Sequence, residues 1–229
     1  MPTIIAIETS SEIASAALLC GDQLIARATT GVQTHSQSIL PMVQSVLAQA
    51  GIGLAQCDAV AFGAGPGSFT GVRTACGIAQ GLAFGLDLPV LAVVTLQAMA
   101  QACREVSGAS DVLAVLDARM GEVYWAQYRY TDRWLTVTAP TLSAPSELVA
   151  RGTVTACGNG MSVYADAFAA HSFAVDARPD LMPHARWIAQ VARSELAQGM
   201  AVAARDAQPI YLRNKIALTT SERLAKATT

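Results

Sequence analysis

The sequence predicts an α/β protein of two lobes, each with three meandering strands followed by crossover helices. Three observations carry this. Strand-like and helix-like segments follow the order β-β-β-α-β-α-β-α, and a similar order begins again after a short, small and polar stretch at Ser107–Asp111. Hydrophobic residues make up 52% of the 229-residue chain and charged residues 14%, which supports a large core and excludes disorder for the bulk of it. The uncharged apolar stretches Thr74–Leu86 and Leu88–Cys103 are each shorter than a bilayer span of about 20 residues. No basic and apolar leader opens the chain, so a soluble, cytoplasmic protein is expected. Lobes are expected over 1–108 and 109–229.

Thr3–Thr9 is a β-rich apolar run and reads as a buried strand. Ile13–Leu19 follows a polar turn, and Gln23–Thr30 follows Gly21-Asp22, a hairpin signal. Ile39, Leu40, Val43, Val46, Leu47 and Ala50 recur at helical spacing. Pro41 places that helix start near Ser36–Ser38, so that proline falls in the first turn. Asp58–Gly63 is a short strand that runs into the glycine-rich loop Gly63–Gly71 and a helix from about Val72 to Gly85. Pro89–Val94 reads as a strand and Leu96–Val106 as a helix.

In the second half, strands are expected at Val112–Ala118, Gly121–Tyr130 and Trp134–Thr138. A short helix at Ser146–Arg151, a strand at Thr153–Cys157 and a helix at Ser162–Ala170 follow. A strand near Phe173–Val175, a long helix at Ala185–Gln198 and a last short strand at Pro209–Leu212 complete the order. The polar tail after Thr219 is expected to fray.

The net charge of −2 excludes a strongly basic nucleic-acid glove. Residues 1–100 hold only Arg27 and Arg73 against Glu8, Glu12, Asp22, Asp58 and Asp87. So few charges do not cover a free surface. Either this half is unusually buried or part of its face meets another protein.

No lysine precedes Lys215, which removes the lysine of a P-loop, a kinase strand or a Schiff-base enzyme. Cys20, Cys57, Cys76, Cys103 and Cys157 form no CxxC and read as buried thiols. His35, His171 and His184 lack metal-ligand spacing. Ser68 stands in Gly-Pro-Gly-Ser-Phe-Thr-Gly, without the GxSxG frame of an esterase.

Two segments could carry chemistry. The loop Gly63–Gly71 joins a strand to a helix start, where free amides can bind an anion, or it is a tight turn with Ser68 or Thr70 as cap. Glu8-Thr9-Ser10-Ser11 could coordinate phosphate or magnesium, or be a polar hairpin. The helix after the loop carries Gly77, Gly81 and Gly85 every four residues, alternating with Ala75, Ala79 and Ala83. Each glycine costs a helix about 1 kcal/mol relative to alanine, so the strip needs a reason, such as close approach of another helix.

The segments IIAIETSSEIASAAL, THSQSILPMV and GAGPGSFTGVRTACGIAQGLAFGLDLPVLAVVTLQAMA resemble the bacterial TsaB (YeaZ) family. DARMGEVYWAQY, ACGNG and PIYLRN extend the resemblance into the second half. It implies two ribonuclease-H-like lobes of the actin-like ATPase (Hsp70/actin) superfamily. It further implies a non-catalytic subunit that works with its paralogue TsaD and the ATPase TsaE. That complex transfers threonylcarbamoyl from threonylcarbamoyl-adenylate to N6 of the adenosine next to the anticodon in tRNAs reading ANN codons.

The resemblance also implies a heterodimer with TsaD, a homodimer when alone, contact with tRNA only through the complex, and no cofactor, metal or catalytic residue of its own. In the family, two helices of the first lobe form the dimer interface. Mapped here, Leu40, Leu47, Arg73, Thr74, Gly77, Gly81 and Phe84 are the expected contacts. Two other readings stay open: a nucleotide hydrolase using Glu8, Thr9 and the Gly63–Gly71 loop, and a metallopeptidase.

Overall fold

The computed structural model describes residues 1–30 and 35–213. The tail after Thr219 lies outside them. The first sheet has the order β3-β2-β1-β4-β5, made of β1 (Thr3–Glu8), β2 (Ile13–Cys20), β3 (Gln23–Thr30), β4 (Ala59–Gly65) and β5 (Val90–Val94). β1, β2 and β3 meander antiparallel, while β4 and β5 add in parallel to β1. The parallel additions require crossovers, supplied by α1 (His35–Ala50) and α2 (Phe69–Phe84).

The second sheet has the order β8-β7-β6-β9: β6 (Asp111–Arg119), β7 (Glu122–Tyr130), β8 (Trp134–Ser143) and β9 (Thr155–Cys157). Its meander repeats the first lobe, with β9 parallel to β6. The strand expected at Phe173–Val175 is instead a single 3-10 turn, Ser172–Ala174. One isolated bridge, Cys157 to Arg178, occupies the place where a fifth strand would pair.

Both faces of the first sheet are covered. Ile5, Ile7, Val60 and Phe62 pack under α1 and α2. On the reverse face Ile4, Ala6, Ala17, Ala59 and Ala61 meet α6 (Ala185–Ala197) through Ala185, Ile188, Ala189 and Ala192. Alanine on alanine lets helix and sheet approach closely, which explains why so much of the apolar content is alanine. α3 (Thr95–Ser107) packs through Leu96, Met99, Ala100 and Cys103 on the second sheet and touches α6. The layers therefore run α1/α2, first sheet, α6/α3, second sheet. The short helices α4 (Gly160–Val163) and α5 (Ala165–Phe168) lie on the far face, with Met161 and Phe168 in its core.

Chain order and spatial partition differ here. α6, which falls in the segment 109–229, packs on the first sheet, and Ala185 N–H donates to Ser15 Oγ of β2 at 2.9 Å. The single helix expected at Ser162–Ala170 is broken at Tyr164, where φ is −116° and ψ is 35°. The helix expected at Ser146–Arg151 is a 3-10 turn, Pro145–Glu147. Pro41 lies in the second turn of α1 rather than the first, because that helix already includes His35. The segment Pro209–Leu212 is no strand: Ile210 N–H donates to Ala64 O at 2.7 Å, but no ladder follows. Cys20 is exposed, not buried, because it ends β2 at the sheet's margin; the other four thiols are buried. Among the described residues no helix is long and apolar enough to cross a membrane.

Candidate functional site

The two segments singled out for chemistry are each other's packing partners. Glu8 ends β1 fully buried. Its Oε1 accepts the Ser10 N–H at 2.6 Å, and its Oε2 accepts the Thr95 hydroxyl at 3.3 Å. Thr95 Oγ1 in turn accepts the Gly65 N–H at 3.1 Å. The carboxyl thus ties together the ends of β1, β4 and β5. Burial pushes its pKa up, opposed by these hydrogen bonds.

The glycines of the loop make room for this turn. A Cβ on Gly63 would stand 1.9 Å from Glu8 Oε2, one on Gly67 2.6 Å from Ser10 Cβ, and one on Gly71 1.9 Å from Thr9 O. Thr9 Oγ1 donates to Gly71 O at 2.6 Å, and Ser68 N–H donates to Ser10 O at 2.7 Å. Ser68 caps α2, its Oγ accepting the Gly71 N–H at 3.4 Å. Glycine here serves close contact between two segments, and the turn-with-cap reading of the loop holds.

The second lobe repeats the device. A Cβ on Gly158 would lie 2.2 Å from Val115 O, and one on Gly160 3.1 Å from the same oxygen. Asp117 N–H donates to Asn159 Oδ1 at 3.0 Å. Asp117 Oδ1 accepts from Arg119 N–H and Tyr164 O–H at 2.8 and 2.9 Å, and Oδ2 pairs with the Arg119 guanidinium at 3.2 Å. Between the two devices lies a cleft of about 380 Å³, lined by Ser10, Glu12, Phe69, Asp117, Arg119 and Tyr211 among others.

The histidines have local roles. His35 Nε2 lies 3.3 Å from Glu12 O, and His171 stacks on Phe173 at 4.8 Å. His184 Nδ1 accepts the Arg186 N–H at 3.1 Å to cap α6, and burial lowers its pKa. Among the described residues no group of three or more His, Cys, Asp or Glu could hold a metal ion.

The outer helical layer is the second feature. α1 and α2, 16 residues each, carry one formal charge between them, Arg73. In α2 the alanine strip points in: Ala75, Ala79 and Ala83 are buried in the core. The glycine strip points out, and a Cβ on Gly77 or Gly81 would meet nothing within 4 Å. Phe84 is 78% exposed and Leu40 43%. Thr74 is half-buried, its hydroxyl donating to Thr70 O at 2.9 Å. Arg73 is exposed, its guanidinium 3.8 Å from the Phe69 ring.

Leu47 does not share this surface. At 8% exposure it packs in the core with Val43 and Val46, although seven residues, nearly two helical turns, put it on the same side of α1 as Leu40. Sequence reasoning missed Leu86, exposed just past α2, and a shallow groove formed beside Phe84 by Leu88, Pro89 and Ala201–Arg205. The signal was available for α2: alanine and glycine strips on one helix imply two faces with different jobs.

The family model described as TsaD, tRNA N6-adenosine threonylcarbamoyltransferase, matches residues 25–220. The protein from Haemophilus influenzae described as tRNA threonylcarbamoyladenosine biosynthesis protein TsaB is 37% identical, over 93% of this chain and 94% of its own length. The protein of the same description from Escherichia coli is 38% identical, over 93% and 96%. The solved structure of YeaZ from Pseudomonas aeruginosa superimposes with a TM-score of 0.86 at 37% identity, covering 93% of this chain and all of that one. A second structure is described as an uncharacterized protein with similarity to peptidase YEAZ from Pseudomonas aeruginosa. It gives a TM-score of 0.84 at the same identity, again with 93% of this chain and all of that one covered.

Proposed function

Since the chain belongs to the TsaB (YeaZ) family of tRNA threonylcarbamoyladenosine biosynthesis proteins, with its two lobes of the actin-like ATPase superfamily, we propose that it is the non-catalytic, partner-binding subunit of that synthesis. In this reading TsaD carries out the transfer of threonylcarbamoyl from threonylcarbamoyl-adenylate to N6 of the adenosine next to the anticodon. This chain binds and supports TsaD, with TsaE as the third component. It meets tRNA through the complex and pairs with itself when alone.

The observation that supports this best is the outer layer of α1 and α2. Leu40, Gly77, Gly81, Phe84 and Leu86 are exposed, and the two helices carry one formal charge, Arg73. Two bare glycines let a partner helix approach the α2 backbone, and Phe84 supplies an aromatic anchor at its end. The strand-end carboxylates support the same reading from the other side. Glu8 and Asp117 have their oxygens committed to neighbouring donors, so they hold turns in place.

The test is size measurement of the chain alone and mixed with TsaD. The native chain is expected to co-elute with TsaD, and Gly77→Leu with Gly81→Leu is expected to abolish this while leaving the fold intact. A chain that stays monomeric and ignores TsaD would overturn the reading. Steady ATP turnover by the isolated chain, lost in Glu8→Ala, would favour an independent hydrolase instead.

A further inference from the structure

Backbone connections join the lobes at two places, both in the central layer: α3 leads into β6, and residues 178–184 lead back into α6. Residues 207–213 cross a third time, at the wall of the cleft, where Ile210, Tyr211, Leu212 and Arg213 all line it. We propose that this segment is a latch that holds the two lobes together across the cleft.

Its contacts pass from the first lobe to the second along the segment. Ala207 O accepts from Gln80 Nε2 of α2 at 3.0 Å. Ile210 donates its amide to Ala64 O at 2.7 Å, and its side chain packs on the core under α2. Tyr211 receives the Arg73 Nε–H on its hydroxyl at 2.8 Å, with its ring 5.6 Å from that of Phe69. Leu212 then packs on the opposite lobe, against the cluster that holds Leu116 and Tyr124. Arg213 pairs with Glu122 at the start of β7 and reaches Arg119 O at 3.5 Å.

The far end is a shaped receiver. Arg119 and Met120 hold φ at 63° and 59°, a left-handed turn that is uncommon for side chains of this kind. That turn brings the Arg119 carbonyl, the Met120 sulfur and the Glu122 carboxylate to one guanidinium. The partly buried pair is charge-assisted, the stronger kind of hydrogen bond. The central helices are then the hinge, and the strap fixes the width of the cleft on the opposite side. This concerns the chain by itself and holds whether or not TsaD binds.

A latch predicts communication along its length. The Ile210 amide belongs to the first lobe and Glu122 to the second, so cutting the far end must loosen the near one. Glu122→Ala and, separately, Leu212→Ala are expected to raise amide hydrogen exchange at Ile210 by about tenfold or more. Exchange in β1 and β6 should stay native. Arg73→Ala, at the near end, should raise Ile210 exchange directly and calibrates the measurement. Unchanged exchange at Ile210 in both far-end variants overturns the latch and leaves two independent surface contacts. Should Glu122→Ala disturb the sheets, Leu212→Ala alone decides.

Discussion

Glu195 faces inward from α6 with little exposure, and burial pushes its carboxyl from 4.5 up to about 7. The folded chain therefore holds this proton more tightly than the unfolded chain does. Its contribution to stability is complete below pH 4.5, declines as pH rises toward 7 and is absent above. Glu195→Gln should flatten that decline by about 2–3 kcal/mol, measured by urea unfolding at pH 5 and pH 8. Glu8, raised by the same cause, keeps part of the slope in the variant. An unaltered slope would place the titration elsewhere. Glu195 gave no sign of this in the sequence, because a charged residue in an amphipathic helix reads as a solvated position. Glu8 and the loop glycines were legible as special residues but not in their role. Phosphate-cradling loops and close-packed turns share one composition. The pairing of Gly63, Gly67 and Gly71 with Glu8, Ser10 and Thr9 joins positions some sixty residues apart, which spacing does not reveal.

At the scale of elements, the strongly periodic segments were readable. The three opening strands, α3 and α6 fall within a residue or two of their expected limits. Failures cluster where one feature had to carry the assignment. The apolar residues near Phe173 suited a strand, yet Phe173 packs on Phe168 from a 3-10 turn instead. α2 was legible in composition and silent about orientation. With its glycines outward, each costs helix stability without any packing gain inside the chain. Gly77→Ala and Gly81→Ala are therefore expected to stabilise the monomer, melted at a dilution where it does not pair with itself, by about 0.5–1 kcal/mol each, raising Tm by a few degrees. The same changes should weaken association with a partner seated on that face. A loss of stability in thermal melts would mean that the strip packs against this chain after all.

At the scale of the whole molecule, the charge-poor first hundred residues have two causes. Most of the deficit is burial, since the first sheet is covered on both faces, and the remainder is the outer face of α1 and α2. The first cover comes from nearby in sequence and the second from the far end of the chain. α6, with Ala98 of α3 beside it, hides Ile4, Ala6, Leu91 and Val93, and the sequence order that assigned it to the second lobe held no hint of this. α3 works the other way, built after the first sheet but packed on the second. The lobes thus exchange helices, and neither has a complete core by itself. A fragment spanning 1–108 would expose the part of its sheet that α6 covers, a contiguous apolar area beyond what a soluble monomer tolerates. It is expected to aggregate or to lack a dispersed amide spectrum. Calorimetry of the full chain should show one cooperative transition rather than two, because unfolding either lobe strips the cover from the other. A folded 1–108 fragment, or two separable transitions, would show that the central helices contribute little. In the latch reading the same central layer is the hinge, so its integrity is required for the strap at 207–213 to have two firm bodies to hold.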